Sequence, residues 1–458
     1  MATIEQRGSS YRITVSVGYD VSGKQIRRSM TFKPDIGMTK KQIKKELERQ
    51  AVLFEEHIKS GLFVDSTIKF ADFAQKWLDE YGKEHLRATT YRRYTDCLTR
   101  INQAIGHMRI DRIQPTHLLS FYKNLSEQGI RSDTKYSPNA DIKALIKSKG
   151  MTQTAFAERA GLSIGTIKEA MRGNNVNYNS AAAISKTLGI PLRSLFNAVG
   201  ADETLASSTI QYYHRVISSI LATAVQWQVI LFNPCDRVKP PKSERKEAKY
   251  LDDKQAAELL TALGSEPILY KTLFSVIMLT GMRRGEACGL NWGDIDLDRA
   301  IIDINKSSLY TPDNGLFEDE TKNETSRRVI KIPTLAVDML KQYRAHQAAL
   351  KLKLGDKWRA SDKVFTSESG LPIHPDTVTS HFREFIKKTD LPQITVHSLR
   401  HTNATLMIAN GTDLKTVSKR LGHASVSTTG NIYTHAIKSA DELAADKLTD
   451  IFINRKQA

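Results

Sequence analysis

The chain has 458 residues, 40% of them hydrophobic, which is enough for two to four domains with their own cores. It carries no run approaching the roughly 18–20 apolar residues of a membrane helix and no leader followed by a cleavage site. Three scattered cysteines, Cys97, Cys235 and Cys288, argue against a disulfide framework or zinc cage and fit a reducing cytoplasm, while 67 basic against 50 acidic residues give +17, an excess that points to nucleic acid first and an acidic membrane surface second.

Residues 1–62 read as a small β-plus-α module. Tyr11, Ile13, Val15 and Val17 alternate with Arg12, Thr14 and Ser16, and Ile26, Met30 and Phe32 alternate with Arg27, Ser29 and Thr31, the period-two pattern of a half-buried hairpin. Arg12, Arg27 and Arg28 are its candidate DNA contacts, expected to face outward. A helix should follow: Thr39 with Gln42 suits a capping box, Ile43, Leu47, Phe54 and Ile58 share one face, and Gly61 suits the stop.

Residues 66–138 and 204–238 read as the two halves of one helical domain. Phe70, Phe73, Trp77 and Leu78 have helical spacing, and Ile210, Tyr213, Ile217, Leu221 and Ala224 form a stripe on a helix that ends before Asn233-Pro234. Residues 131–138 are polar and read as loop. Between the halves lies a segment of different character, residues 139–203. Thr152 to Ser163 is an apolar helix followed by a Gly161 turn, and Ser163 caps a second helix running to Gly173, which together make a helix-turn-helix. Phe156, Ala157, Ile167 and Met171 should lock the two helices together, with Ile184, Leu188, Leu192 and Leu195 in later helices. The segment resembles the phage-repressor type of helix-turn-helix domain; Lys168 and Arg172 on its second helix are candidate phosphate or base contacts.

Residues 239–249 form a linker. Pro240 and Pro241 bar a helix, and Lys239, Lys242, Arg245 and Lys246 suit either phosphate tracking or a solvated connector. From residue 250 to 458 a mostly helical domain with a small β-sheet is expected, with Leu273–Leu279 in its core and strands at Ile301–Ile304 and Arg328–Ile332. In the tail after Tyr433, Leu443, Leu448, Ile451 and Phe452 suit packing on a neighbouring subunit or on the same domain.

Four stretches of this last domain carry chemistry: Thr280-Gly281-Met282-Arg283-Arg284-Gly285-Glu286; Thr321-Lys322 through Arg327-Arg328; His397-Ser398-Leu399-Arg400-His401; and Leu421-Gly422-His423 with Tyr433 ten residues on. Taken singly each has a bland reading. Arg283 and Glu286 make an ordinary i,i+3 helix pair. His397 and His401 have the spacing of a zinc pair, but no Glu stands between them and Arg400 opposes a metal. Tyr433 alone is more often a half-buried core residue.

In this order, across about 150 residues, the four resemble the tyrosine recombinase (phage integrase) family. The resemblance covers the last domain fully and the two preceding DNA-gripping modules in outline. It implies a multidomain, mainly α protein that cuts and rejoins double-stranded DNA at attachment sites through a 3′-phosphotyrosine, using no metal, ATP or other cofactor. It further implies a homotetramer on DNA, helped by accessory bending or excision factors, serving a prophage or conjugative element. Matched by motif, Arg283 and Arg400 are the family's arginines and Lys322 its hairpin lysine. His397 opens the His-x-x-Arg motif, His423 is the position some relatives fill with Trp, Tyr433 is the nucleophile, and Glu286 and His401 support. Two guanidiniums suit the charge of a pentacoordinate phosphorus. Lys322 is the candidate acid for the leaving 5′-oxygen. His397 is the expected acceptor of the Tyr433 proton. Gly430, three residues before Tyr433, departs from the larger residue usual there. A type IB topoisomerase uses a similar set, and a non-catalytic regulator would use the helix-turn-helix alone; the N-terminal hairpin and insert argue against the first, and the complete set argues against the second.

Overall fold

The computed structural model describes residues 2–19, 23–35, 37–59, 68–128, 134–200, 203–243, 248–320 and 326–434. It divides into two compact units, residues 1–244 and 245–458.

The first unit opens with an antiparallel sheet of Thr3–Arg7, Ser10–Tyr19 and Gln25–Phe32 in chain order. Ile13 and Val15 are buried against Leu47, Ala51 and Phe54 of the helix Lys40–Lys59. The capping box is present, with the Thr39 amide donating to Gln42 Oε1 at 2.9 Å. The hairpin read from the sequence therefore gains a third strand. Thr3–Arg7 is exposed at every position, so no in–out alternation marks it; it is held by backbone pairing with Ser10–Thr14. The stop expected at Gly61 lies outside the described residues.

Helices Phe70–Trp77, Ala88–Ile101, Pro115–Leu125 and Ser207–Gln226 bury Phe70, Phe73, Trp77, Leu98, Ile101, Leu118 and Leu125 with Ile210, Ile217, Leu221 and Ala224 in one core. The Trp77 indole donates to Thr223 Oγ1 at 2.8 Å across this core. Segments 70–125 and 207–226 therefore build one domain, because neither half has enough apolar surface facing inward without the other.

The segment between them forms a separate core. Phe156, Ala157, Ile167, Ile184, Leu188 and Leu195 are buried together, with Met171 and Leu192 packed against them. Thr152 caps Gln153–Ala160, Gly161 takes the left-handed conformation at φ 63°, and Ser163 Oγ accepts from the Thr166 amide to start Ile164–Met171. One boundary is corrected. Residues 135–138 are a strand, not loop, and pair antiparallel with Phe196–Val199 and with Val176–Asn177. The chain enters and leaves this module through one short ladder, which starts the module at 135 and not 139. The four-residue strand alternates too briefly for its pattern to show in the sequence.

In the second unit the helix Ile268–Thr280 is buried from Thr272 to Met278. Around it pack Thr334–Leu354, Pro375–Ile386 and Val396–Ala409, and the sheet Arg328–Lys331, Ile301–Ile304, Ile295–Asp296, whose Ile302, Ile304 and Ile330 point into the same core. A hairpin of Lys306–Thr311 and Gly315–Glu320 lies beside it in sequence. Helices Leu414–Leu421 and Val426–Ile432 close a smaller cluster of Ala404, Ile408, Val417, Leu421 and Tyr433.

Candidate active site

The site begins at the end of the buried helix Ile268–Thr280. Gly281 ends it at φ 71°, and a Cβ there would lie 2.7 Å from both Asn403 and Leu421. That turn delivers Arg283 to the start of the helix Arg284–Gly289. The Glu286 carboxylate accepts from the Arg283 amide at 2.9 Å and from Arg283 Nη1 at 2.7 Å, so the i,i+3 pair is real and serves as the helix cap.

Arg400 lies on the helix Val396–Ala409 and is 1% exposed. Its Nη1 donates to the Gly281 carbonyl and its Nη2 to the Leu421 carbonyl, each at 2.7 Å. Arg283 Nη2 donates to the next carbonyl, Gly422, at 3.2 Å. Two arginines more than a hundred residues apart thus hold consecutive carbonyls of the Leu-Gly-His turn. Burial, with the nearby Arg283 charge, pulls the Arg400 guanidinium down to about 9, which leaves it charged at neutral pH. Arg283 keeps 38% of its side chain exposed and faces solvent beside it.

The same turn sets His423, whose Nδ1 meets Thr429 Oγ1 at 2.8 Å. Burial and the cations Arg400 and Arg283 lower it to about 4, so the ring is neutral. His397 keeps an exposed ring, yet the protein crowding its inner edge and the same two arginines lower its pKa as well. His397 and His401 meet edge to face at 4.7 Å. His401 Nδ1 lies 2.9 Å from the Tyr433 hydroxyl. It is therefore His401, and not the expected His397, that meets the phenol; i,i+4 spacing puts both histidines on one helix face, and Tyr433 arrives from the side of His401. Tyr433 is 1% exposed, and burial pushes its hydroxyl up to about 12, only partly countered by Arg400. Gly430 meets nothing within 4 Å of a would-be Cβ, so the departure at that position leaves no contact unfilled.

Arg328, which closes the second motif stretch, has no role implied by the family resemblance. Its side chain is 3% exposed. It grips Glu286 with both Nη atoms, at 3.2 and 2.8 Å, and donates from Nε to the Arg420 carbonyl at 2.6 Å. Burial alone would raise the Glu286 carboxyl; this fork, together with the charge and amide of Arg283, outweighs it and holds the group ionised below its ordinary value. Lys322 lies outside the described residues, as do Arg245, Lys246 and the tail residues Leu443, Leu448, Ile451 and Phe452.

The other candidate contacts lie in the first unit. Arg12 and Arg27 share a sheet face, opposite Thr31 and Ser16, with Arg12 donating to Ser29 at 3.0 Å. Arg28 is corrected: it sits opposite Val15, on the row that carries the core, because β-strand neighbours point to opposite faces. Lys168 and Arg172 are exposed on the second helix of the insert, Arg172 paired with Glu169 at 3.0 Å. Lys239 and Lys242 are exposed. Among the described residues no helix is long and apolar enough to cross a membrane, and no group of three or more His, Cys, Asp or Glu is placed to hold a metal ion.

The phage integrase family model matches residues 249–439, its N-terminal SAM-like domain matches 69–126, and a helix-turn-helix model matches 142–195. The ICEBs1 integrase of Bacillus subtilis is 31% identical over 248 residues, 54% of this chain and 67% of that one. The chain belongs to the phage integrase family of tyrosine recombinases. The recombinase is also 26% identical to a tyrosine recombinase XerC-like protein of Caldanaerobacter subterraneus over 97% of this chain and 96% of the relative, a span that includes the insert. A fragment of the Tn1549 transposon integrase, solved in complex with transposon right end DNA, shares the fold at a TM-score of 0.57 and 17% identity, covering 83% of this chain and all of that one. The chain is thus a tyrosine-type site-specific recombinase.

Proposed function

We propose that this recombinase integrates or excises its element by attack of Tyr433 Oη on a backbone phosphorus of an attachment site. The new O–P bond forms as the P–O5′ bond breaks, giving a 3′-phosphotyrosine and a free 5′-hydroxyl. Arg283, Arg400 and neutral His423 hold the charge that gathers on the non-bridging oxygens. The phenol proton passes to His401, with His397 beside the phosphate, and Lys322 protonates the departing O5′. Because the bond energy stays in the protein–DNA link, rejoining needs no ATP. Exchange between two duplexes requires four cleavages, hence four copies on DNA.

The observation that carries this reading is the pair of arginines on consecutive carbonyls of the turn that bears His423, with the Tyr433 hydroxyl hydrogen-bonded on the same helix as Arg400. DNA contacts on this reading are Arg12 and Arg27 for arm sites, Lys239, Lys242, Arg245 and Lys246 along the linker, and Lys168 and Arg172 on the insert. The test is trapping on a nicked duplex spanning the joined ends of the element that encodes the chain. A phosphotyrosine peptide containing residue 433 supports the reading; an adduct elsewhere, or one surviving in Tyr433→Phe, overturns it.

A further inference from the structure

Arg328, a buried side chain of the second motif stretch, ties the first stretch to the residue that leads into the fourth. Its Nη atoms hold Glu286 of the first; its Nη1 also donates to the Ser326 carbonyl at 3.0 Å, in the second; its Nε holds the Arg420 carbonyl, which leads into the Leu-Gly-His turn. The turn is built against it. Gly422 is left-handed at φ 66°, and a Cβ there would lie 3.0 Å from Arg328 Nη1 and 3.3 Å from its Cδ. Glu286 in turn fixes Arg283 twice, through its amide and its guanidinium.

We infer that Arg328 is a positioning residue of the recombinase, acting through Glu286 on Arg283 and through the Arg420 carbonyl on the turn that carries His423. The inference rests on the proposed role of Arg283 at the scissile phosphate. A simple ion pair would need only the charge of Arg328. Positioning needs its shape, because one planar fork meets both carboxylate oxygens and the carbonyls of Ser326 and Arg420. An ammonium on a flexible stem neutralises Glu286 but cannot hold all of these.

The two roles separate in Arg328→Lys, Arg328→Met and Arg328→Met/Glu286→Gln. Thermal unfolding and hydrogen exchange need no DNA turnover. Positioning predicts that Arg328→Lys unfolds close to the parent, while the Arg283 amide, donor to Glu286, and the amides of 420–424 exchange at least tenfold faster; those of Ile301–Ile304 stay unchanged. Covalent-adduct formation on the nicked duplex should fall at least tenfold in Arg328→Lys, with duplex affinity within threefold of the parent. Arg283→Ala/Arg328→Lys should lose clearly less than the product of the two single defects, since the route through Arg283 is already absent and only the route through the Arg420 carbonyl remains. Parent-like exchange at Arg283 in Arg328→Lys, or a double variant slower by the product of the two defects, overturns the inference. Failure of the parent to form any adduct counts against the nucleophile reading instead, and the exchange arm then decides the role of Arg328 alone.

Discussion

The Tyr433 hydroxyl lies 2.9 Å from Nδ1 of His401, while its ring is buried in the small cluster of Ala404, Ile408, Val417 and Leu421. A phenol held at about 12 by burial is a poor nucleophile at neutral pH, so the attack depends on a base already in contact with it. His401→Phe keeps an aromatic ring but removes the acceptor. Adduct formation should fall about 10²–10⁴-fold, the range of a lost general base, with DNA affinity retained, and the remaining rate should climb with pH as hydroxide replaces the histidine. His397→Phe, by contrast, should leave the phenol's partner in place. Single-turnover trapping of each variant from pH 6 to 9 checks this; a larger loss in His397→Phe with no change of pH profile in His401→Phe would return the proton to His397.

The Arg400 guanidinium has no slack. Both Nη atoms hold carbonyls, and the side chain is almost fully buried. Arg400→Ala should cost about 2–6 kcal/mol of stability, since two buried carbonyls lose their donors at about 1–3 kcal/mol each. Arg400→Lys reaches one carbonyl and should cost about 1–3 kcal/mol, while cleavage falls by about 10²–10³. Denaturant midpoints read the first pair of values and trapping reads the last.

Much of this arrangement was legible in the chain, and what was not has a physical cause. The left-handed Gly161, the alternating strands and the capped helices of the insert follow from local rules and appear where expected. The contact between His401 and Tyr433 depends on how the helix Val426–Ile432 approaches Val396–Ala409, which no spacing within either helix contains. Arg328 does carry a signal in the sequence. It shares a strand face with Ile330, and that face packs inward beside Ile302 and Ile304. An arginine on a core row needs a buried carboxylate, and Glu286, next to the buried helix Ile268–Thr280, is the acidic group that answers it. The strand Thr3–Arg7 and the ladder at 135–138 gave no comparable sign, being wholly exposed or too short.

His423 also links pH to folding. Its folded pKa of about 4 lies below that of an ordinary histidine, because burial and the two arginines disfavour its charge. Between those values the unfolded chain binds the proton and the folded one does not. The stabilising contribution is therefore complete above about pH 6.5 and is lost as pH falls towards 4, by roughly 1–2 kcal/mol once the ring's partial exposure is allowed for. His397, shifted the same way, adds to it. In urea melts at pH 7 and pH 4.5, His423→Gln should show a smaller loss between the two pH values than the parent; equal losses would mean that other groups carry the acid sensitivity.

The insert offers a separate test, because its ends are already together. Lys135 and Val199 are ladder partners, and partners in an antiparallel pair lie about 4.5–5.5 Å apart, so a bridge of about two to four Gly and Ser residues can replace 135–199. Excision at 139–203 would instead leave the strand Lys135–Pro138 without Phe196–Val199 and expose Tyr136, which packs on the insert core. The core of Phe70, Trp77, Ile217 and Leu221 contains no residue of the insert, so the shortened chain should fold and still form the Tyr433 adduct on a short nicked duplex. If the helix Ile164–Met171 contacts DNA through Lys168 and Arg172, the shortened chain should bind longer attachment-site DNA about tenfold more weakly, with a shallower salt dependence from the lost phosphate contacts. Lys168→Ala/Arg172→Ala in the full chain should reproduce part of that loss, the Arg172 share being small because Glu169 already pairs it. Recombination by the shortened chain at the parent's rate, affinity and salt slope would remove DNA contact from the insert's role.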